Sequence, residues 1–189
     1  MAKRDALGAY HAKRNLNRSG EPGGSRRGRK TARPRFVIQR HDASSLHFDF
    51  RLEIGDVLVS WSIPKGPSLD PGDKRLAIRT EDHPLDYADF EGSIPEGEYG
   101  AGTVIVWDTG TFEHLGDGSA QDALDRGGLK FRLHGEKLHG AFTLVRTRTS
   151  RQEQWLLIKK DDEGADRRRK PAKTQPESVL TGRTNEDLA

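Results

Sequence analysis

Nine consecutive residues, Leu46 to Ile54, alternate without a break. Phe48, Phe50, Leu52 and Ile54 share one face; His47, Asp49, Arg51 and Glu53 share the other. A period of two belongs to a strand and not to a helix, and it decides which face builds a core. The polar face sets an imidazole, a carboxylate and a guanidinium in a row, with like-facing neighbours roughly 6.5–7 Å apart. Imidazole and carboxylate suit a divalent metal, and a guanidinium suits an anion beside it. His41, six residues upstream of His47 across a polar turn, is a candidate third ligand. The same pattern also describes the ordinary solvated face of a half-buried strand, so the residues alone leave both readings open.

Short strands recur along the chain. Phe36-Val37-Ile38-Gln39 leads into His41, and Gly55-Asp56 turns the alternating strand back into Val57–Ile63. Three prolines in Pro64–Gly72 forbid a strand there, which leaves Lys65 on a stiff loop. In Lys74–Thr80, Leu76 and Ile78 share one face and Arg75, Ala77 and Arg79 the other. Glu81-Asp82-His83-Pro84-Leu85-Asp86-Tyr87 crowds titratable groups at a strand end; it reads either as a site or as an acidic loop in which His83 caps a turn. The glycine-rich run Ser93–Gly102 lacks the Lys-Ser/Thr and the following helix of a phosphate loop, so its glycines are expected to bend a strand. Thr103–Trp107 is expected to turn at Asp108-Thr109-Gly110 into Thr111–His114. Ser119 caps the one convincing helix, about residues 120–126, which Gly127-Gly128 ends. Leu129–Leu133, Ala141–Arg146 and Trp155–Lys159 complete the strands, with His114, His134 and His139 at strand ends or turns on the surface. Eight or nine short strands and one short helix predict a mainly β fold, a closed antiparallel barrel of about eight strands with a few short helices.

Composition sets the boundaries. Of 189 residues, 32% are hydrophobic and 32% charged, too polar for a chain packed along its whole length. The expected organisation is a basic flexible arm (1–34), a barrel (35–160) and a disordered polar tail (161–189). Eleven Lys/Arg precede Phe36 against Asp5 and Glu21, a local net of +9, while the whole chain carries only +3. A basic arm on an acidic body fits either nucleic-acid binding or a solvated leader. The absence of cysteine excludes disulfides, thiolate zinc and a cysteine nucleophile, so any metal takes N and O ligands, as Mn, Mg, Zn or Fe does. With no apolar run at the N-terminus, neither signal peptide nor membrane span is expected, and a cytoplasmic location is the default.

Residues 36–53, FVIQRHDASSLHFDFRLE, resemble the opening of the 3′-phosphoesterase domain of bacterial DNA ligase D. So do Ser62–Ser68 (SIPKGPS), Glu81–Tyr87 (EDHPLDY), Phe90–Pro95 (FEGSIP), Leu133–Leu138 (LHGEKL) and Trp155–Lys160 (WLLIKK), in one order across about residues 10–160. The resemblance implies a barrel with a metal-bearing groove on its outer surface. It also implies a manganese-dependent enzyme of non-homologous end joining that removes a 3′-terminal ribonucleoside and then the 3′-phosphate, exposing a 3′-OH on DNA. On the matched positions, His41, His47 and Asp49 would hold Mn2+. Arg51, Arg75, His83 and Tyr87 would surround the scissile phosphate, with Gln39, Lys65 and Glu81 in supporting positions. An Arg-Asp pair and a Glu in the family's arm serve the diesterase step. Arg14 and Glu21 match, but Asn15 stands in the Asp position, and an amide neither accepts a proton nor bears charge. His83 would protonate the leaving oxygen. Implied partners are DNA 3′ ends and, for a solitary domain, separate ligase, polymerase and Ku-like proteins. The alternative is a non-catalytic module that docks on DNA ends or on a ligase or polymerase of that pathway.

Overall fold

A computed structural model describes residues 6–24 and 33–189. Part of the basic arm, and with it part of the linker expected between Ser19 and Arg35, lies outside the described residues. Nine strands form one antiparallel sheet: β1 Arg35–Asp42, β2 Leu46–Ile54, β3 Val57–Ile63, β4 Lys74–His83, β5 Gly92–Ile94, β6 Gly102–Leu115, β7 Gly128–His134, β8 His139–Arg148 and β9 Gln154–Lys159. Their order is β1-β2-β3-β4-β9-β8-β7-β6-β5, and β1 also pairs with β6. Eight strands therefore close into a barrel, as the strand pattern predicts, while β5 lies on the outside of the start of β6. Closure removes the exposed sheet edges that a run of short strands would otherwise present.

The alternating faces fall as the sequence dictates. Phe48, Phe50, Leu52 and Ile54 of β2 join Phe36, Ile38, Trp61, Phe131 and Trp155 in one buried core inside the barrel. Its rings pack edge-on or offset, as between Phe48 and Trp107 (centroids 5.3 Å) and between Phe50 and Phe131 (5.7 Å). One end of the barrel is covered by α3 (Ala120–Arg126), which places Ala123 and Leu124 in the core. Ser119 caps it, accepting from the Asp122 N–H, and Gly127 at φ 82° ends it, as the sequence predicts.

The expected turn at Asp108-Thr109-Gly110 does not form; β6 runs straight through it. Asp108 spends its side chain on a different turn, accepting backbone N–H groups of Glu136, Lys137 and Leu138 at 2.9–3.2 Å, besides that of Thr109. Gly110 is needed for packing and not for turning, since a Cβ there would lie 2.0 Å from the His134 carbonyl oxygen.

Both ends of the chain depart from expectation. Residues 161–189, predicted as a disordered tail, lie across the barrel end opposite α3. The segment includes α4 (Pro171–Thr174) and α5 (Asn185–Leu188). Trp107 Nε1 donates to the Gln175 carbonyl (2.6 Å), and Lys137 Nζ donates to the carbonyls of Gln175 and Glu177 (3.2 and 2.5 Å). Buried Asn185 donates to the carbonyls of Arg40 and Thr103 and accepts from Arg40 Nη1. Polar composition misleads here because the segment docks through backbone carbonyls and polar side chains such as Asp162, Ser178 and Asn185, which an apolar count does not register. The described part of the arm is equally packed. It forms α1 (Gly8–Ala12) and α2 (Leu16–Ser19), and buries Tyr10 with Val37, Leu58, Tyr87 and Val106 in a second, smaller cluster on the barrel's outer wall.

Candidate active site

The outer wall of β1, β2 and β3 carries the polar half of each alternating strand. Pairing of His41 with His47 and of Gln39 with Asp49 brings residues six and ten apart in the chain side by side. On the neighbouring strand Ser60 and Ser62 face the same way, opposite Arg51 and Asp49. His41, His47, Asp49, Arg51 and Ser62 floor a groove of about 350 Å³ whose walls include Arg14, Glu21, Glu81, His83, Tyr87 and Tyr99, with Gln39 and Ser60 buried behind Arg51.

A bulge determines one wall. Leu58 pairs with His83, but Ser60 pairs with Thr80, so β4 holds one extra residue between those contacts. In a regular strand Ile78 and Thr80 would share their face with Asp82, and His83 would point to the other side. The inserted residue reverses the phase, so Glu81 and His83 reach the groove while Asp82 pairs with Arg79 at 3.2 Å. The expected clustering of Glu81, His83 and Tyr87 at a strand end is thus met through an irregularity that the alternation of β4 does not announce.

The ligating atoms of His41, His47 and Asp49 all lie within 4.8 Å of one another, the one such group among the described residues. His41 Nδ1 is 3.4 Å from Asp49 Oδ2, and His47 Nε2 is 3.3 Å from Asp49 Oδ1. The remaining ring nitrogens face carbonyls: His41 Nε2 lies 2.7 Å from the Gly100 oxygen and His47 Nδ1 3.2 Å from that of Ser45. With a cation in the shared space, the inner nitrogens would offer it their lone pairs while the outer nitrogens donate to the carbonyls. Burial opposes ionisation of Asp49, yet His41, His47 and Arg51 outweigh it and hold the carboxyl well below the usual carboxylate range. Two imidazoles and one carboxylate, oriented from behind by carbonyls, fit a divalent ion that accepts N and O ligands and keeps open positions.

Arg51 is buried and fully engaged. Its Nε donates to Gln39 Oε1 (2.8 Å), its Nη1 to Ser60 Oγ (2.9 Å), and its Nη2 approaches Asp49 Oδ2 (3.5 Å). Gln39 is fixed in turn by donating to the carbonyls of Tyr87 and Phe90, so its supporting role is a physical one. Across the groove Arg14, its side chain only 5% exposed, donates to Glu21 Oε2 (3.1 Å) and Glu81 Oε1 (2.9 Å) and lies 3.3 Å from His83 Nε2. The Tyr87 hydroxyl donates to Glu21 Oε2 at 2.6 Å. Burial, reinforced by Glu21 and opposed by Arg51, raises the Tyr87 pKa well above its ordinary value, so the phenol stays protonated. The second oxygen of Glu21, Oε1, has no hydrogen-bond partner among the described residues.

Burial first, then the charges of Arg51 and Arg14, push the His83 pKa well below the ordinary imidazole value. Its Nδ1 lies 2.8 Å from the Glu81 carbonyl and 3.1 Å from Arg51 Nη1, and its Nε2 lies 3.3 Å from Arg14 Nη2. The resting imidazole is therefore neutral. Proton donation by His83 therefore calls for a change in its surroundings, such as a bound anion that offsets the two guanidinium groups.

Two expected residues are not in the groove. Arg75 follows the phase of Ala77, whose side chain is buried in the core, and so faces away from Ile78 and Thr80, which line the groove. Its contact is Asp73, at 3.5 Å. Lys65 is exposed on its loop, outside the lining. Asn15 is also exposed, at the N-terminal boundary of α2. Conversely, the sequence did not single out Tyr10, Lys13, Tyr99 or Gly100. Gly100, at φ 77°, brings its carbonyl onto His41, and a Cβ there would sit 3.4 Å from the imidazole. The only available signal was the glycine run, which was read as a bend. No helix among the described residues is long and apolar enough to cross a membrane.

Comparison with known proteins gives the same direction. A family model described as the DNA Ligase D 3′-phosphoesterase domain matches residues 39–146. The "Multifunctional non-homologous end joining protein LigD" of Pseudomonas aeruginosa is 51% identical over 189 residues, covering 97% of this chain and 22% of that protein. The "Multifunctional non-homologous end joining DNA repair protein LigD" of Mycobacterium tuberculosis is 43% identical over 158 residues, covering 80% of this chain and 19% of that protein. That of Mycolicibacterium smegmatis is 38% identical over 164 residues, 84% of this chain and 21% of that protein. This chain spans about a fifth of the length of the relatives it matches. With more than half its residues matched by the family model, and with the groove formed by residues inside or beside that match, the chain belongs to the DNA ligase D 3′-phosphoesterase domain family.

Proposed function

We propose that the chain is a metal-dependent phosphoesterase that heals 3′ ends of DNA during non-homologous end joining, removing a 3′-terminal ribonucleoside and a 3′-phosphate to leave a 3′-OH. The observation that carries the reading is the His41/His47/Asp49 group, with both histidines oriented by carbonyls, facing Arg14, Arg51 and His83 in one groove. His41 Nδ1, His47 Nε2 and Asp49 would hold the ion, Mn2+ by family resemblance. When bound, it would act as a Lewis acid on a phosphoryl oxygen and help to ready a water.

The chain's own residues supply the rest. Arg51, braced by Gln39 and Ser60, and Arg14, braced by Glu21 and Glu81, present guanidinium groups to charge building on the phosphoryl oxygens. A phosphate dianion beside them favours protonation of His83, which then gives its proton to the departing oxygen. Tyr87 remains a hydrogen donor, and Glu21 Oε1 remains an acceptor, suited to a hydroxyl of the sugar being released. Arg75 and Lys65, outside the groove, act on the fold or on more distant phosphates. Ligase, polymerase and Ku-like proteins are proposed as partners that use the 3′-OH produced.

The test pairs binding with turnover. Titration of Mn2+ into the purified protein, followed by calorimetry, should give one site that is lost in His47→Ala and in Asp49→Ala. Primer–templates ending in a ribonucleoside or a 3′-phosphate should be processed by the wild type alone. End binding that persists in His41→Ala and Asp49→Ala, with no cleavage by the wild type in Mn2+, would establish the docking module instead.

A further inference from the structure

Tyr99 is the groove residue with the largest apolar surface open to solvent, 47% exposed. Two cations attend its ring: Arg14 Cζ at 5.0 Å and Lys13 Nζ at 5.2 Å from the centroid. Both cations bond the two oxygens of a single carboxylate, Glu81, Lys13 at 3.1 Å and Arg14 at 2.9 Å. That shared partner holds the two cations together beside a ring that remains about half exposed. The ring's position is fixed from its own loop: Glu98 N donates to the Pro95 carbonyl, Ala101 N to that of Glu98, and Arg18 pairs with Glu98 at 3.2 Å. One residue further on, the Gly100 carbonyl holds His41. A flat aromatic surface therefore stands at the mouth of the groove, one residue from the carbonyl that orients the candidate metal site.

We propose that Tyr99 is a stacking shelf for the nucleobase of the nucleotide whose 3′ group enters the groove; this rests on the phosphoesterase reading above. A base has a π face whatever its identity, so stacking grips a strand end without reading its sequence, as an end-healing reaction requires. The two cations orient the phenol while about half of its surface stays open to solvent. Lys13 is half exposed beside it, near enough to the mouth to meet the backbone phosphate of the preceding nucleotide.

The experiment crosses a protein change with a substrate change. Wild type, Tyr99→Phe and Tyr99→Ala are assayed with Mn2+ on 3′-phosphate primer–templates whose last nucleotide carries either a normal base or an abasic sugar. Removal of the base should raise the wild-type KM roughly tenfold. Tyr99→Ala should raise KM by a similar factor on the base-bearing end and by much less on the abasic end, whereas Tyr99→Phe follows the wild type. Equal loss on both ends, or a Phe variant that behaves like Ala, overturns the shelf. If the wild type cleaves neither end, the phosphoesterase reading fails by itself, and binding decides the shelf. Fluorescence of a terminal 2-aminopurine should then be quenched on the wild type and not on Tyr99→Ala; failure to quench overturns it.

Discussion

The two ends of this chain share a polar character and do opposite things. Both are polar and rich in arginine, and both pack on the barrel. The described arm works through side chains: Arg14 links Glu21, Glu81 and His83, and Tyr10 fills the outer cluster against Tyr87. The C-terminal segment works through backbone and side chains together, away from the groove: the carbonyls of Gln175 and Glu177 meet Trp107 and Lys137, Asp162 meets Lys159, and Ser178 and Thr181 meet Glu91. The segment whose partners lie at the barrel end helps to close it, whereas the arm, whose charges meet Glu81 and His83, becomes part of the groove. Composition cannot separate the two cases, because it counts charges and not what they meet.

The largest expected effect comes from cutting each end away. Removal of residues 161–189 strips Asp162 from Lys159, whose amine is fully buried and bonded to it at 2.5 Å. Leaving a buried lysine unpaired costs about 3–5 kcal/mol, and the Trp107 end of the core is uncovered as well. The melting temperature should fall by roughly 10 °C or more. Removal of residues 1–24 should cost less stability but abolish phosphoesterase turnover while the far-ultraviolet circular dichroism of the barrel persists. Equal loss of stability in both truncations would erase the distinction.

Next in size is the single side chain that makes the arm part of the groove. Arg14→Ala leaves Glu21 and Glu81 facing one another without the guanidinium between them and removes a donor from the phosphate side. Turnover should drop by roughly 10²–10³-fold. Arg14→Lys restores the charge but not the fork that spans two carboxylates and an imidazole, so it should recover little of that loss. Recovery to near wild type would mean that the arm contributes charge alone.

A smaller effect tests the groove's electrostatics by pH. His83 is held neutral in the folded protein by burial, Arg51 and Arg14, whereas the unfolded chain takes up a proton near the ordinary value of 6.5. Between the depressed folded pKa and that value the unfolded state binds more protons. The contribution of His83 to stability is therefore complete above about pH 6.5 and declines as pH falls below it. Urea unfolding of chelator-treated protein at pH 7.5 and 5.5 should show a drop that is smaller in His83→Gln. An unchanged pH slope in that variant would assign the drop to other groups.

How much of this was legible follows from where each residue sits. The barrel, its core face and the His41/His47/Asp49 group could be read because strict alternation in β2 fixes both faces and a turn of three residues fixes the partner strand. Arg14 and Glu21 came from family resemblance alone, since no periodic pattern marks an arm that folds against a groove made elsewhere. Family resemblance also placed Arg75 at the phosphate, but its phase in β4 turns it with Ala77 away from the groove. His83 arrives there only because of a bulge, and local sequence gives no count of the residues opposite. Asp108 shows the same limit, since a turn-forming triplet became strand once its carboxylate found N–H groups 28–30 residues away.

The smallest effect concerns the arm's one departure from the family pattern. Family resemblance implies a carboxylate at position 15 that serves ribonucleoside removal, and this chain has Asn15. The side chain is exposed at the boundary of α2 and makes no capping hydrogen bond there. A carboxylate at that point would gain the weak field of a four-residue helix and would sit one residue from Arg14, already committed to Glu21 and Glu81. Position 15 lies outside the groove lining, so the carboxylate would act on the sugar or base of the departing nucleoside. Asn15→Asp should therefore raise the rate on a ribonucleoside end by a few-fold relative to the rate on a 3′-phosphate end, with the melting temperature nearly unchanged. The readout is the ratio of the two rates on matched primer–templates. A ratio equal to that of the wild type would confine the arm's part in the diesterase step to Arg14 and Glu21, the two side chains that reach the groove.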